Sequence, residues 1–335
     1  MSFQTRATFL NEANRGVTKT YLKTALRGVL GSVPLDYITA DIPASLFKDY
    51  HLCASIFDKY LQGDSTSASE RKIRCKEKYL ACEDRCRVTN ERFARREFTG
   101  THFHHLLMLT RQHLSEVLGS FPKSFVEHCA FGPGASTRLS RPFVDAVFKL
   151  EGKPHITSLL YHHLGQDFLS KVWPDGFDVH ECADYTTVPK SSVIDRPIEM
   201  QPCINMFIQK ALGNLIRKRM KGRFCGVGYP TLDLNDQSFN QNLARLGSQT
   251  GAICTLDLSS ASDLISTNLV SYLIEDTSWL GALYVSRVGL VQFEDGSIRP
   301  LEKFSAMGNG YTWELQSAIF YSMVRAVNTF LGCLS

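Results

Sequence analysis

Asp257 is the residue whose type and position best suit a metal ion. Residues 252–256 read as a short buried strand, and Asp257 follows it directly. A strand holds the carboxylate at its end rigidly beside a cleft, and Mg²⁺ prefers such oxygen ligands. We predict that Asp257 binds Mg²⁺ and that Asp263, on the serine-rich turn that follows, meets a nucleotide sugar. The alternative is that Ser262 or Asp263 only caps the helix predicted to follow.

Two basic residues on an extended ribbon are suited to bind phosphates. Lys190 and Arg196 lie within residues 184–200, which read as two extended segments interrupted by Pro189 and Pro197. A polyphosphate is bound well by an arginine fork beside a lysine point charge. We therefore predict that both side chains contact one anion. The alternative is a solvated surface hairpin, since most Lys and Arg side chains are simply exposed.

Residues 305–314, with the sequence Ser-Ala-Met-Gly-Asn-Gly-Tyr-Thr-Trp-Glu, form a third motif. Gly308 and Gly310 let the backbone approach a ligand closely, and the N-terminus of the helix that follows carries partial positive charge. Both properties suit a nucleotide-binding turn. An ordinary junction between a loop and a helix is the alternative, since Gly-x-Gly alone is a weak signal.

A basic run ends the helix that is predicted to start at Pro202. Its members are Arg217, Lys218, Arg219, Lys221 and Arg223. These side chains suit the phosphates of RNA. They equally suit a solvated helix C-terminus, where the helix dipole favours cations.

Clusters of histidine and cysteine do not predict a metal site. The clustered residues are His102, His104, His105 and His113, and Cys75, Cys82 and Cys86. The histidines have no acidic or cysteine partner at ligand spacing, so surface or packing roles are expected. The cysteines match no zinc template and are expected to be small buried residues.

The loop 131–137, Phe-Gly-Pro-Gly-Ala-Ser-Thr, lacks the lysine of a phosphate-binding P-loop. A backbone contact to the template and a tight structural turn both remain open for this loop.

Several elements must position these groups. Residues 69–97 predict a long exposed helix with a narrow buried stripe around Ile73, Leu80, Cys86 and Phe93. Helical spacing of apolar residues predicts an amphipathic helix over 204–216 and a last helix with one apolar face. That last face comprises Leu315, Ile319, Met323, Val327 and Phe330. Asp295-Gly296 predicts a hairpin turn over 294–297. No apolar run is long enough to span a membrane, and no secretory signal is recognisable.

The motifs, in this order, resemble the RNA-directed RNA polymerases of positive-strand RNA bacteriophages, the replicase catalytic beta subunits of the levivirus or Q-beta type. The similarity extends from about residue 78 to residue 327. Besides the motifs above, it rests on HCAFGPGAST (128–137), LDLNDQSFNQ (232–241) and EDGSIRPLEKFSAMGNGYTWE (294–314). Several such blocks in one order are far more specific than any single motif.

The resemblance implies an α+β right-hand fold with helix-rich fingers and the first part of a palm. Residues 1–125 would form an N-terminal helical region and fingers, 126–250 fingers with the phosphate-binding ribbon and the amphipathic helix, and 251–335 a partial palm. Lys190 and Arg196 would grip the incoming triphosphate, and Asp257 would be the first metal ligand. The residues implied to sense the ribose and its 2′-OH are Asp263, Ser305, Asn309 and Thr312, and Gly308 is implied to be a further nucleotide-binding residue. The turn Ser-Ser-Ala-Ser-Asp replaces the aromatic gate usual in reverse transcriptases, which favours ribonucleotides.

The implied function is replication of a viral RNA genome by Mg²⁺-dependent nucleotidyl transfer. That chemistry uses two metal ions, but the Gly-Asp-Asp motif that completes the family's site does not occur in this sequence, and we expect the Gly-Asp-Asp hairpin and the thumb to be absent. We therefore expect a chain that is inactive alone, either truncated or completed by a second chain. A non-catalytic RNA-binding fragment is an alternative, and a nucleotidyltransferase or ligase on a palm-like sheet is the least supported. The implied partners are RNA template and nascent strand, NTPs, host elongation factors Tu and Ts and a ribosomal protein, in the cytoplasm of an infected bacterium.

Overall fold

The protein is described from a computed structural model, in which the described residues are 67–139, 146–191, 193–223 and 232–332, with a few single positions before residue 67. Apart from those positions, residues 1–66, about half of the predicted N-terminal region 1–125, therefore lie outside the described residues.

Helices and short strands alternate along the described chain, which agrees with the predicted α+β class. The helices are α1 (Ala68–Ala94), α2 (His102–Leu118), α3 (Ala146–Leu150), α4 (158–172, with a π-helical stretch at Tyr161–Leu169), α5 (Cys203–Met220), α6 (Ser238–Thr250), α7 (Thr267–Leu273), α8 (Thr277–Ser286) and α9 (Thr312–Phe330). The strands are β1 (His155–Ile156), β2 (Asp178–Val179), β3 (Cys182–Pro189), β4 (Asp195–Met200), β5 (Leu290–Gln292) and β6 (Ile298–Pro300).

The larger sheet has the strand order β4-β3-β5-β6. β3 and β5 are parallel, with Cys182 opposite Leu290, and β5 and β6 are antiparallel, with Leu290 opposite Pro300. The turn between β5 and β6 confirms the predicted hairpin. Gly296 has a φ of 80°, and the Asp295 carboxylate accepts a hydrogen bond from the Ser297 N–H. A separate pair is formed by β1 and β2, which are parallel.

Contacts divide the described residues into two compact units. One contains the described residues up to Lys78 together with Thr187–Pro197, and the other contains Tyr79–Thr186 together with the described residues from Ile198 onward. This division cuts across the three regions predicted from the sequence, 1–125, 126–250 and 251–335, which stay a prediction.

The core of the larger unit is built on α5, which confirms the predicted amphipathic helix. Pro202 is its N-cap residue, and the predicted apolar stripe is buried apart from Phe207, which is half-buried. The stripe contributes to two apolar clusters, one of them containing Trp279, Tyr311 and Leu315. Burial of each such side chain stabilises the fold by about 2 kcal/mol.

The buried stripe of α1 is narrow, as predicted. Of the four residues expected in it, Cys86 is buried and Leu80 and Phe93 are half-buried. Ile73 is 56% exposed, so its assignment to the stripe is wrong. The buried positions are Cys75, Tyr79, Cys82, Cys86 and Asn90. Two of these residues, Tyr79 and Asn90, have polar groups, and a search for the helical spacing of apolar side chains alone overlooks them.

The last helix, α9, buries only the first half of its predicted apolar face. Leu315 and Ile319 are buried, but Met323, Val327 and Phe330 are exposed. The small residues Ala318, Ser322 and Ala326 take the inward positions instead, and α9 packs closely along α2. Small side chains allow two helix backbones to approach, so the buried face follows these residues rather than the largest apolar ones.

The strand predicted at 252–256 is not formed. Residues 252–258 have no regular secondary structure, and Leu256 is 81% exposed. A strand is stable only when its backbone N–H and C=O groups pair with a neighbour, and in the described part of the chain no strand lies beside this segment. The prediction of a buried strand here is therefore wrong.

No helix within the described ranges has the length and apolar character needed to cross a membrane.

Candidate functional site

Lys303 is fully buried in the larger unit and binds Asp263, one of the predicted site residues. Its Nζ lies 3.0 Å from Asp263 Oδ1 and 3.1 Å from Glu83 Oε1. The contact with Asp263 is a hydrogen bond, whereas the contact with Glu83 Oε1 is an ion pair without hydrogen-bond geometry. The ammonium also lies 3.7 Å from the centroid of the Tyr79 ring, a cation–π contact.

The buried face of α1 supplies most of the groups around Lys303. Tyr79 donates a 2.6 Å hydrogen bond to Glu199 Oε1, and Glu83 Oε2 accepts a 2.6 Å hydrogen bond from the Glu302 N–H. Further along the same face, the Asn90 side-chain amide donates to the Glu302 backbone carbonyl and to Glu302 Oε2. We call Tyr79, Glu83, Glu199, Asp263 and Lys303 the Lys303 cluster.

Backbone hydrogen bonds align the turn that contains Asp263 with the segment that leads into the Gly-Asn-Gly motif. The Phe304 N–H donates to the Ile265 carbonyl at 2.8 Å, and the Thr267 N–H donates to the Glu302 carbonyl at 3.0 Å. The Arg287 guanidinium donates to the carbonyls of Leu301, Lys303 and Phe304. The structure thus brings the first and third sequence motifs side by side.

Burial and charge shift the pKa values within the Lys303 cluster. Burial raises the pKa of the Glu199 carboxyl to about 7, although Lys303 and the Tyr79 hydrogen bond oppose the shift. Burial lowers the pKa of the Lys303 ammonium, but the charges of Asp263, Glu199 and Glu83 outweigh it, so the net shift is upward. Burial, followed by the negative charge of Glu199, raises the pKa of the Tyr79 hydroxyl. Lys303 therefore keeps its charge at neutral pH, and the Glu199 carboxyl retains its proton to a higher pH than a solvated glutamate does.

The Gly-Asn-Gly motif is a tightly packed junction in this structure. Gly308 has a φ of 116°, and a Cβ there would overlap the Glu199 carbonyl oxygen. Gly310 lies against α5: its N–H donates to Gln209 Oε1, and a Cβ would lie 2.8 Å from the Lys210 nitrogen. Packing therefore requires glycine at both positions. This requirement agrees with the alternative that the motif is an ordinary junction between a loop and a helix.

The polar side chains of this junction are bound within the protein. Asn309 Oδ1 accepts from the Tyr311 N–H at 3.0 Å, and the Thr312 hydroxyl donates to the Ala306 carbonyl at 2.8 Å. Thr312 and Ser305 are buried. A nucleotide would reach these groups only after the junction rearranges or through the remaining hydrogen-bonding capacity of Asn309, which is half-buried.

Lys190 and Arg196 flank the turn of a β-hairpin, in the smaller unit. β3 ends at Pro189 and β4 begins at Asp195, and the Ser191 N–H donates to the Ile194 carbonyl at 3.1 Å. Asp195 is buried and accepts hydrogen bonds from Arg71 Nε and the Thr187 hydroxyl, which anchors the strand beside Arg196. Both Lys190 and Arg196 are exposed, and neither forms an ion pair or hydrogen bond with another described residue. Their charges are therefore available to an anion.

Asp257 lies on the surface of the larger unit. It is exposed and has no ion pair or hydrogen bond to another described residue. Among the described residues, no group of three or more His, Cys, Asp and Glu side chains is close enough to hold a metal ion. A carboxylate of this kind fits Mg²⁺ only as one ligand among several, because Mg²⁺ takes its remaining oxygens from substrate phosphates and water.

Most of the basic run at the end of α5 is occupied within the protein. Arg217 binds the buried Glu314 carboxylate, with Nη2 2.6 Å from Oε1, and its guanidinium lies 4.8 Å from the centroid of the Trp313 ring. Arg219 donates to the Ser120 carbonyl, and Arg223 donates to the Glu116 and Val117 carbonyls at the end of α2. Lys221 pairs with Asp233 at 3.1 Å, and Lys218 is exposed. These contacts favour a structural role for the run over RNA binding.

The histidines and the glycine loop also have structural partners. His113 is buried and bonded to Glu116 and Thr329, and His102 and His105 contact the Phe330 ring edge-on, as expected for packing residues. Lys149, fully buried, donates to the carbonyls of Gly132 and Gly134. Lys149 thus anchors the loop 131–137, and the two alternatives for this loop, a template contact and a tight structural turn, both stay predictions.

The residues that sequence reasoning missed are those that hold the motifs in place. They are Tyr79, Glu83, Asn90, Arg287 and Lys303. The helical spacing of Tyr79, Glu83 and Asn90 with Cys86 was visible in the sequence and would have indicated one polar buried face. The burial of Lys303 had no such signal, because lysine is almost always exposed.

The family model and the known proteins that match this chain agree on one family. Residues 29–334 match the family model described as RNA replicase, beta-chain. The RNA-directed RNA polymerase subunit beta of Escherichia virus Qbeta is 33% identical over 292 residues, which cover 84% of this chain and 47% of that protein. The corresponding beta chain of Enterobacteria phage GA is 31% identical over 300 residues (81% and 52%), and that of Escherichia phage MS2 is 47% identical over 148 residues (44% and 25%). The chain spans about half the length of the first two relatives.

Proposed function

Because this chain belongs to the RNA replicase beta-chain family, we propose that it forms the nucleotide-handling part of an RNA-directed RNA polymerase that copies a viral positive-strand RNA. The observation that carries the proposal is that one family match, over residues 29–334, includes all three motifs in order. The relatives named above are RNA-directed RNA polymerase subunits of RNA phages, which fits the same reading.

Lys190 and Arg196 bind the triphosphate of the incoming nucleotide in this proposal. Both are exposed and unpaired among the described residues, so no existing ion pair must break before phosphate binds. Arg196 offers a planar fork of N–H donors and Lys190 a compact charge, and hydrogen bonds between ionised groups are the stronger kind. The buried anchor at Asp195 limits how far the strand beside Arg196 moves.

Asp257 supplies one oxygen ligand to Mg²⁺ in this proposal. Its exposure and freedom from other pairs suit a ligand that is completed by the triphosphate and water. Bound Mg²⁺ would neutralise charge on the phosphate oxygens during nucleotidyl transfer. A two-metal site needs further carboxylates, which the described residues do not gather at Asp257.

Asp263 and the junction 305–312 sense the sugar in this proposal. The Asp263 side chain retains 13% exposure, so one of its oxygens remains accessible to a small donor such as a ribose hydroxyl. RNA template, nascent strand, host elongation factors, a ribosomal protein and the cytoplasm of an infected bacterium stay predictions from the family resemblance.

Nucleotide binding by the purified chain tests the proposal. Titration calorimetry with ATP in the presence of Mg²⁺ should show binding to the wild type. The double variant Lys190→Met/Arg196→Met should bind at least about tenfold more weakly, since each charged hydrogen bond contributes about 1.5–3 kcal/mol. Lys123→Met, which removes an exposed lysine outside the motifs, is the matched control and should bind like the wild type. Absence of ATP binding by the wild type, or equal binding by the double variant, would contradict the proposal.

A further inference from the structure

Lys303 is an unusual residue to find without any exposure to solvent. Its side chain is 0% exposed, and removing an ammonium group from water costs several kcal/mol unless charged partners surround it. The partners are Asp263, Glu83 and the face of the Tyr79 ring. Apolar residues of similar volume often stabilise a core as well as a buried ion pair does. Packing alone therefore does not account for a lysine at this position, and its effect on the neighbouring Asp263 carboxylate gives it a second role.

The contact with Lys303 restricts Asp263 to one orientation. Lys303 Nζ donates a 3.0 Å hydrogen bond to Asp263 Oδ1. The backbone of Asp263 is held as well, because its N–H donates to the Ser260 carbonyl and its carbonyl accepts from the Cys86 thiol. Asp263 Oδ2 accepts no hydrogen bond from another described residue. One oxygen of this carboxylate is thus occupied and the other is available.

The position of Lys303 in the chain is also informative. It lies two residues before Ser305, and its backbone forms a bridge with Ser266, just after the turn that contains Asp263. Glu83 and Tyr79 hold the ammonium from the side of α1. Lys303 therefore links two of the three motifs directly through its side chain and its backbone.

We infer that Lys303 is a positioning residue that presents Asp263 Oδ2 as the acceptor for the ribose 2′-OH, and so determines the preference for ribonucleotides over deoxyribonucleotides. The inference rests on the proposed function and extends it to a residue that was not predicted to contact the nucleotide. A carboxylate oxygen that must accept a hydrogen bond from a sugar discriminates against a nucleotide that lacks the hydroxyl, because the acceptor is then left unpaired in a poorly hydrated place.

The experiment compares the affinities for ATP and dATP, both with Mg²⁺, by titration calorimetry. The wild type should prefer ATP, and Lys303→Met should reduce the ratio of the two affinities by about tenfold, the equivalent of one hydrogen bond to a charged group. Affinity for dATP should change little, because the triphosphate is bound elsewhere. Lys123→Met should leave the ratio unchanged. Because Lys303→Met leaves carboxylates unpaired, the charge-balanced variant Glu83→Gln/Lys303→Met provides a second test and should show the same lower ratio.

The outcomes separate this inference from the proposed function. If the wild type binds neither nucleotide, both fail. If it binds ATP and dATP equally, or if a folded Lys303 variant keeps the wild-type ratio, only the role of Lys303 is overturned. If neither variant folds where the wild type binds ATP, Lys303 is a structural residue and the inference is likewise overturned. A lower ratio in a folded variant supports it, since loss of stability alone does not change selectivity between two nucleotides.

Discussion

The Tyr79 hydroxyl donates a 2.6 Å hydrogen bond to Glu199 Oε1, while the ring of the same tyrosine lies 3.7 Å from Lys303 Nζ. One side chain thus joins a buried carboxyl group to a buried ammonium. The Lys303 cluster contains three carboxyl groups and a single ammonium, so it carries more acid than base. Protonation of Glu199 is the simplest way to relieve that excess, because Glu199 is the most deeply buried of the three.

The first prediction concerns stability and pH. Burial raises the pKa of Glu199 from 4.5 to about 7, so the folded protein binds this proton more tightly than the unfolded chain. The resulting stabilisation is complete below about pH 4.5 and is lost as the pH rises through 7. Its size is on the order of 3 kcal/mol. Glu199→Gln keeps the shape and an acceptor for Tyr79 but does not titrate.

Urea unfolding at pH 5 and at pH 8 measures this effect. The free energy of unfolding of the wild type should fall relative to that of Glu199→Gln between the two pH values. Parallel behaviour of the two proteins would show that Glu199 does not titrate in this range.

The second prediction concerns Lys303 and stability. Lys303→Met leaves Asp263 and Glu83 without their shared cation, and removing one partner of a buried ion pair costs about 3–5 kcal/mol. Glu83→Gln in the same chain removes one negative charge and should recover part of that loss. Lys123→Met should change the free energy of unfolding by less than about 0.5 kcal/mol. Urea unfolding of the four proteins checks the order, and a loss in Lys303→Met no larger than in the control would rule out a stabilising pair.

The third prediction concerns the glycine junction. Gly308→Ala forces a side chain into a left-handed conformation and against the Glu199 carbonyl, so it should lower the free energy of unfolding by about 2–4 kcal/mol. Gly281, in the middle of α8, has no neighbouring atom within 4 Å of the position that a Cβ would occupy, and Gly281→Ala should raise the free energy of unfolding by about 0.5–1 kcal/mol. Thermal unfolding distinguishes the two directions, and a neutral Gly308→Ala would mean that the junction is looser than its contacts indicate.

The fourth prediction concerns the basic run. Among the described residues, Arg217→Met leaves the buried Glu314 carboxylate with Lys210 at 3.9 Å as its one remaining cation, and it should lower the free energy of unfolding by about 3 kcal/mol. Lys218→Met, on the exposed side of the same helix, should change it by less than about 0.5 kcal/mol. If the run binds RNA instead, both variants should weaken RNA binding, and most strongly at low salt, without a difference in stability. Urea unfolding and RNA titrations at two salt concentrations separate the two roles.

Local patterns predicted several elements correctly. The spacing from Ile204 to Ile216 predicted α5, and Asp295-Gly296 predicted the hairpin between β5 and β6. The two extended segments around Lys190 and Arg196 became β3 and β4. In each case the pattern that predicts the element lies within a few residues: the helical spacing of apolar side chains, the Asp-Gly pair of a turn, or an extended segment rich in Thr, Val and Ile.

Elements that depend on distant partners were predicted less well. The segment 252–256 has the composition of a strand, but no strand among the described residues lies beside it, so it does not form one. On α9, packing against α2 selected Ala318 and Ala326 for the interior over Met323 and Val327. These outcomes depend on which surface arrives opposite the segment, which local periodicity does not contain.

The sequence by itself determined the family, the order of the motifs and the residues Lys190, Arg196, Asp257 and Asp263 as candidates, because these depend on residue type and spacing. Only the tertiary structure decided the environment of each. It left Lys190, Arg196 and Asp257 exposed and paired Asp263 with a lysine forty positions later in the chain. The physical reason is that the energy of a charge depends on its solvent exposure and its nearest partners, and both are set by contacts between residues far apart in sequence.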